Sequence, residues 1–246
     1  MSRAILDAQH ATWQTKPALR AIYGDYYERI AAACIPGTTL EIGGGSGNFK
    51  QQQGNVISSD LVVNPWVDAA ADAQSLPFAN GSLSNIVAVD VLHHLEFPLR
   101  FFTEARRALV PSGRIVLLEP AITPASYAFY RWFHPEPVDT AVDPFSEAPP
   151  DPNRAPFDAN QALPTLLFRK HRTRFAARFP SLRVVRLEWL SYFAYPLSGG
   201  FRPWSLVPTR AVAPLLKLEA ALRPILGSVL AFRLLVVIER TADAPS

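Results

Sequence analysis

The 246-residue chain has a single cysteine, Cys34, and only four of its 24 cationic side chains are lysines. One thiol cannot form an intrachain disulfide, and it cannot supply the several thiolates of a structural zinc site. No stretch offers the roughly 20 apolar residues that a membrane-spanning helix needs. The first residues, Met1 to Asp7, lack the apolar core of a secretory signal. We therefore expect a cytoplasmic protein.

Several motifs of well-known cofactor and substrate sites are also missing. The dinucleotide pattern Gly-x-Gly-x-x-Gly fails, because its sixth position is Asn48 when counted from Gly43 and Lys50 when counted from Gly45. The phosphate-loop pattern with Gly-Lys-Ser or Gly-Lys-Thr is absent, and so is the Gly-x-Ser-x-Gly elbow. These absences disfavour an NAD-dependent oxidoreductase and exclude an α/β-hydrolase.

The most informative segment that is present runs from Leu40 to Gly47 and reads LEIGGGSG. A short apolar strand that carries an acid, Glu41, breaks into a turn with four glycines: Gly43, Gly44, Gly45 and Gly47. Glycine allows positive φ and lets a ligand lie against the backbone. A strand, a glycine turn and a helix start form a nucleotide-type binding site at the carboxyl end of a parallel strand.

Four further segments follow this turn in a consistent order. The first is a short strand that ends in an acid (56–60), and the second is an Asp-Ala-x-x-Leu-Pro-Phe element (72–78). The third is an apolar strand that runs into Leu-His-His (86–95), and the fourth is an Arg-x-Leu-x-Pro-x-Gly turn with the strand that follows it (107–120). With the acidic-x-Gly-x-Gly-x-Gly turn, the series resembles the class I S-adenosylmethionine-dependent methyltransferases. Its Leu-His-His element resembles the branch (methyltransferase type 11) that includes ubiquinone and menaquinone methyltransferases. The resemblance covers about a third of the chain, residues 38–120.

This resemblance implies S-adenosylmethionine as cofactor and S-adenosylhomocysteine as product. Glu41 and the glycine turn would hold the methionine end of the cofactor. Asp60, at the end of the second strand, would hold the ribose, and Asp72 would hold the adenine. A further aspartate after the fourth strand would close the site near the sulfonium. The predicted cofactor site is Glu41, Gly43, Gly44, Gly45, Gly47, Asp60, Leu61, Asp72, Ala73 and Asp90. A strand-end carboxylate also suits a cationic ligand better than a pyrophosphate.

Alternating strands and helices over residues 38–120 predict a Rossmann-like, doubly wound α/β fold. The resemblance adds a seven-stranded, mostly parallel sheet with an antiparallel last strand, and helical or irregular cap insertions. We expect one domain over residues 1–246. It consists of a cofactor-binding core (17–120), a lid insertion (121–160) and a C-terminal half (161–240). The C-terminal half contains a helical insertion at about 197–230. Periodicity predicts helices over 17–34, 99–109, 161–179 and 215–226, and late strands over 184–195 and 234–240. The helix after the glycine turn is expected to be short.

Methyl transfer from a sulfonium needs positioning in a dry pocket more than it needs a protein nucleophile. A base matters only where the acceptor loses a proton, and histidine suits that role near neutral pH. His93 and His94, after the fourth strand, are the predicted catalytic pair, with packing or cofactor shaping as the alternative. Tyr130, Trp132 and His134 of the lid insertion are predicted substrate contacts.

The acceptor is expected to be a small molecule, lipophilic or lipid-linked, because aromatic residues and an amphipathic helix follow the cofactor-binding core. No metal is predicted, since the second acid of metal-dependent catechol-type enzymes is missing after the fourth strand. Nucleic acid is not expected, because the Asn-Pro-Pro-Tyr motif is absent there.

Charge is uneven along the chain. Residues 1–150 carry 10 cationic and 15 anionic side chains, and residues 151–246 carry 14 and 6. The basic half could face an anionic substrate or make peripheral contact with a membrane. A rival from another class is a non-catalytic S-adenosylmethionine-binding module that binds partners through this half.

Overall fold

The computed structural model describes residues 2–146, 149 and 151–241. Three residues of the predicted lid insertion, Glu147, Ala148 and Pro150, lie outside the described residues. Within the described chain no helix is both long enough and apolar enough to cross a membrane.

Seven strands form one mixed sheet in the order β3-β2-β1-β4-β5-β7-β6. Their bounds are β1 Thr39–Ile42, β2 Ile57–Asp60, β3 Ala69–Ala70, β4 Leu83–Val89, β5 Leu109–Pro120, β6 Leu182–Leu190 and β7 Arg233–Arg240. The first five strands are parallel, and β7 runs antiparallel to both β5 and β6. This confirms the predicted Rossmann-like fold with its antiparallel last strand. The sixth strand ends at Leu190 rather than at 195, because Ser191 takes a φ of 60° and redirects the chain.

Helices cover both faces of the sheet. They are α1 Ser2–Thr15, α2 Pro17–Ala33, α3 Asn48–Gln53, α4 Pro98–Ala108, α5 Pro124–Phe133, α6 Leu163–Thr165, α7 Arg172–Arg178, α8 Ala194–Ser198 and α9 Thr209–Leu230. Helix α3 has six residues, so the helix after the glycine turn is short, as expected. Helix α1 was not predicted, and α9 is longer than the predicted 215–226 although it contains Pro214 and Pro224.

The helix predicted over 161–179 is wrong as one continuous element. A π-helical turn, Leu166–Lys170, follows α6, and His171 leaves helical geometry with φ −113° and ψ 29° before α7 begins. The apolar residues of this stretch are nevertheless buried. Phe168 and Phe175 pack edge to face against Phe102 of α4, which explains the helical spacing seen in the sequence.

Two apolar clusters, one on each face, hold the layers together. One contains α4 and the phenylalanines just described. The other places α2 with Ile22, Tyr26 and Ile30 against the opposite face, together with α8 and α9. Parallel strands buried on both faces leave their carboxyl ends at a common edge, which is where ligands bind in such sheets.

Candidate functional site

The carboxyl ends of β1, β2 and β4 border a cavity of about 830 Å³. The glycine turn after β1 forms part of its wall, and the loops after β2 and β4 form another part. Helix α5 and residues 195–204 form a further part, and residues of α1, α2 and the segment 151–157 also line the cavity. One continuous cavity therefore joins the predicted cofactor end to the segments that follow β5 and β6.

Close packing around the turn explains its glycines. A Cβ on Gly44 would lie 2.1 Å from Oγ of Ser58, and a Cβ on Gly43, whose φ is 64°, would lie 2.3 Å from Val91. The turn is thus wedged between β2 and the loop after β4, and only glycine fits there. Gly45 also lines the cavity, whereas Gly47 does not and instead precedes α3.

Two predicted carboxylates lie on the cavity wall and also shape the loops around them. Asp60 accepts hydrogen bonds from the backbone N–H groups of Gly45 at 2.9 Å and Val62 at 2.8 Å, so it ties the turn to the loop after β2. Asp72 accepts from the N–H of Gln74 at 2.8 Å. Their predicted neighbours, Leu61 and Ala73, line the same wall.

Glu41 is the buried acid of the site. Its carboxyl accepts a 2.5 Å hydrogen bond from Ser58, and only 4% of the residue is exposed. Burial raises the pKa of Glu41 to about 7, and Asp60 adds to that rise while the Ser58 hydrogen bond opposes it. The carboxyl is therefore partly protonated near neutral pH, and a cationic ligand beside it would favour its ionised form.

Asp90, the aspartate predicted to close the site near the sulfonium, lines the cavity. Arg233, the first residue of β7, forms an ion pair with it, and the hydroxyl of Tyr23 donates to its Oδ2 at 3.2 Å. The guanidinium lies 4.3 Å from the ring centre of Tyr195. This buried network reaches the cavity, so the charge of Asp90 is already neutralised by the protein.

The two predicted catalytic histidines occupy different environments in a 3₁₀ turn, Leu92–His94. His93 is buried, with Nδ1 2.7 Å from Glu119 and Nε2 3.6 Å from Glu136 of the lid. Burial lowers the pKa of His93, but the hydrogen bonds to Glu119 and Glu136 outweigh it and raise the pKa to about 9. Burial raises the pKa of Glu136, but the hydrogen bond and the charge of His93 outweigh burial and lower this pKa to about 2. His93 therefore acts as a charged link between the sheet and the lid.

His94 is only half-buried and lines the cavity. Its Nδ1 lies 3.3 Å from the carbonyl oxygen of Asp158, and its ring contacts that of Phe157. Burial, followed by the charge of His93, lowers the pKa of His94.

A family model described as "Methyltransferase domain" matches residues 40–117, which contain the glycine turn, three aspartates that line the cavity (Asp60, Asp72 and Asp90) and the histidine pair. No curated protein matches the chain in sequence.

This match assigns residues 40–117, about a third of the chain, to the methyltransferase-domain model.

Solved structures share the whole fold at low sequence identity. A SAM-dependent methyltransferase from Archaeoglobus fulgidus is 14% identical with a TM-score of 0.51, over 90% of this chain and 94% of its own. A chain in the complex with the Trm112 methyltransferase activator of Haloferax volcanii is 13% identical with a TM-score of 0.53, over 97% and 96%. A geranyl diphosphate methyltransferase in complex with SAM is 14% identical with a TM-score of 0.50, over 88% and 85%. The methyltransferase-domain match confirms the predicted S-adenosylmethionine-dependent methyltransferase, an enzyme with S-adenosylmethionine as cofactor. The solved structures confirm the fold alone.

The lid insertion of this methyltransferase is partly helical. Tyr130 of α5 is buried and donates to the carbonyl of Phe232 at 2.9 Å, and it lines the cavity together with His134. The prediction of Trp132 as a substrate contact is corrected: the residue is 73% exposed and does not line the cavity, because it lies on the opposite side of α5 from Tyr130. The structure therefore brings two of the three predicted substrate residues to the site.

Several cavity residues were missed by sequence reasoning. Leu6 and Gln9 of α1 form one group that lines the cavity, and Tyr195, Phe201 and Trp204 form a second group. The Gly199-Gly200 pair was the available signal for the second group, because it marks a tight turn between the sixth strand and α9.

Lys16 fixes this second group to the N-terminal helices. Its buried Nζ donates to three backbone carbonyls of one loop, those of Gly200 at 2.6 Å, Arg202 at 2.7 Å and Trp204 at 2.8 Å.

Among the described residues, His93, His94 and Glu136 offer ligand atoms within 4.8 Å of one another, a spacing at which a metal ion could be held. In this arrangement His93 already contacts carboxylates through both of its ring nitrogens. The absence of a metal requirement stays a prediction.

Proposed function

We propose that this protein transfers the methyl group of S-adenosylmethionine to a small acceptor that is largely apolar, either lipophilic or lipid-linked. The observation that carries the proposal is the continuity of the cavity, which joins the glycine turn to an aromatic chamber. That chamber is lined by Phe129, Tyr130, Phe133, Tyr195, Phe201, Trp204 and Phe232. A concave, mostly aromatic lining suits an apolar ligand, and an unbroken cavity allows acceptor and methyl group to align.

The cofactor would occupy the end of the cavity that carries the carboxylates. Backbone groups of the glycine turn and the carboxyl of Glu41 would receive the amino acid part, with Asp60 near the ribose and Asp72 near the adenine. Because Arg233 neutralises Asp90, the sulfonium would meet the tyrosines beside that pair rather than a free carboxylate. An aromatic face is a favourable neighbour for a cation.

His94 is the side chain we assign as base for an acceptor that must lose a proton. His93 contacts carboxylates through both ring nitrogens, so it has no nitrogen left for an acceptor. His94 faces the cavity, and its Nδ1 contact with a backbone carbonyl orients the ring. A phenolic or quinone-like ring is the acceptor that we favour, because Leu92-His93-His94 resembles the element of the quinone methyltransferase branch.

Transfer of a labelled methyl group to lipid and aqueous cell-extract fractions tests this proposal. We expect label in the lipid fraction, and a loss of about 100-fold or more in His94→Ala if the acceptor loses a proton. Binding of S-adenosylhomocysteine by the variant should remain within a few-fold of wild type. His171→Ala is the matched control, because His171 lies at the start of α7 and does not line the cavity.

Rapid transfer to a purely hydrophilic metabolite would contradict the proposed acceptor class. Undiminished transfer by His94→Ala would contradict the base assignment alone. Binding of S-adenosylhomocysteine without transfer to any fraction would favour the non-catalytic module instead.

A further inference from the structure

Helix α9 presents an apolar side to solvent. Leu218, Ile225 and Val229 lie on that side at helical spacing, with 50%, 74% and 45% of each residue exposed. A helix that packs on a soluble domain ordinarily carries polar residues on its outer side. The only charged residues that α9 exposes are Arg210 and Lys217, and both are cations.

Further apolar side chains are exposed on two segments next to α9. The loop just before α9 exposes Trp204 and Leu206, and α5, which packs on α9, exposes Trp132 and Phe133 at its end. Arg202 ties the loop to α5, because its guanidinium donates to the carbonyl of Phe133 at 2.8 Å. We call these residues the docking surface: Trp132, Phe133, Trp204, Leu206, Leu218, Ile225 and Val229. Phe133 and Trp204 also line the cavity, so the cavity opens on this surface.

The exposed charges of the surrounding segments are all positive. Residues 121–135 and 192–232 contain a single carboxylate, Glu219, which is buried and accepts from the backbone N–H groups of Phe193 and Ala194. Four exposed cations lie on the same segments: Arg131, Arg202, Arg210 and Lys217. No carboxylate of these fully described segments reaches solvent.

We propose that the docking surface lies on an anionic lipid bilayer and that the cavity takes its acceptor from that bilayer. Exposed tryptophans beside aliphatic residues suit the boundary between lipid headgroups and chains, and flanking cations suit anionic lipids. A second copy of the chain would place these cations against one another, which disfavours a dimer through this surface. The source of the acceptor rests on the proposed function, whereas docking itself does not.

Co-sedimentation of the full chain with lipid vesicles tests docking without any catalytic readout. One set contains phosphatidylcholine alone, and the other contains equal parts of phosphatidylcholine and phosphatidylglycerol. We expect binding to the anionic set that weakens with added salt. Arg210→Gln should weaken it about fivefold, the effect of about 1 kcal/mol for one cation near an anionic surface. Ile225→Glu should weaken it at least as much, since it removes an inserted side chain and adds an anion.

The matched control is Val63→Ser. Val63 is 77% exposed in the loop after β2, at the other end of the sheet from β7 and β6, and its replacement should leave vesicle binding unchanged. Circular dichroism of each variant checks that the fold is intact.

Failure of wild type to bind either set, or equal binding by wild type and Ile225→Glu, would overturn docking. A dimer that Ile225→Glu dissociates, or a stable protein partner that Ile225→Glu releases, would also overturn it. Vesicle binding together with methyl transfer to hydrophilic compounds alone would keep docking and overturn the proposed acceptor.

Discussion

Replacing Glu41 by glutamine should change how the stability of this protein depends on pH. The side chain keeps its shape and can still accept the hydrogen bond from Ser58, but it no longer ionises. In the wild type, burial raises the pKa of Glu41 from 4.5 to about 7. The folded state therefore binds more protons than the unfolded state between these two pH values. The free energy of unfolding should fall as pH rises through this window and level off above it.

The magnitude follows from the size of the shift. Each unit of pKa corresponds to about 1.4 kcal/mol, so ionisation of buried Glu41 should cost the folded state about 3 kcal/mol at about pH 8.5 and less than 1 kcal/mol at about pH 5. Glu41→Gln should thus gain stability relative to wild type as pH rises. If the glutamine packs less well, the variant loses the same free energy of unfolding at both pH values. The difference that depends on pH is therefore unaffected.

Urea unfolding of both proteins at the two pH values measures this difference, and calorimetric titration of S-adenosylhomocysteine supplies an independent reading. Since the ligand carries an ammonium group, we expect wild-type affinity to rise with pH through 7 and the affinity of the variant to stay flat. A stability difference that is the same at both pH values would refute the assignment of a raised pKa to Glu41. A flat wild-type affinity would refute the placement of the ligand cation beside it.

Three further substitutions should report on other parts of the site. Gly44→Ala should lower cofactor affinity at least tenfold in calorimetry, because its Cβ would lie 2.1 Å from Oγ of Ser58 and must displace the turn. Lys16→Met should lower the melting temperature and speed proteolysis of the loop described above, since three carbonyls lose a charged donor worth about 1.5–3 kcal/mol per hydrogen bond. In Asp90→Asn, asparagine tolerates the positive φ of this position, but buried Arg233 is left without its anion. Chemical unfolding should therefore show that the free energy of unfolding falls by about 3 kcal/mol. A fall of less than about 1 kcal/mol would contradict the ion pair.

Local chemistry explains what the sequence predicted well. The glycine turn and the strand that precedes it could be predicted because no other residue fits against Ser58 and Val91. The parallel sheet followed from the alternation of strands and helices, and the bounds of α4 from its apolar stripe. Helix α2 was predicted to within one residue, because Pro17 and the Pro36-Gly37 pair bracket it.

Long-range contacts explain what the sequence could not predict. The ion pair between Asp90 and Arg233 joins residues that are 143 positions apart, and the contact between His93 and Glu136 joins the turn after β4 to the lid, 43 positions further along the chain. Neither pairing has a local signature. The helix predicted over 161–179 failed for a related reason: its buried phenylalanines keep helical spacing through a π-helical turn, and periodicity does not reveal that turn.

Strand order along the chain has a consequence for the folding pathway. Strand β6 precedes β7 in the sequence, yet among the described strands it pairs with β7 alone, and β7 in turn lies against β5. Until β7 is in place, β6 has no strand to pair with and the outer edge of β5 is open. Arg233, at the start of β7, reaches Asp90 only at that stage. The late non-local pairing of β7 should therefore limit the folding rate, and a nascent chain should acquire the buried charge pair of its cavity in its last folding step.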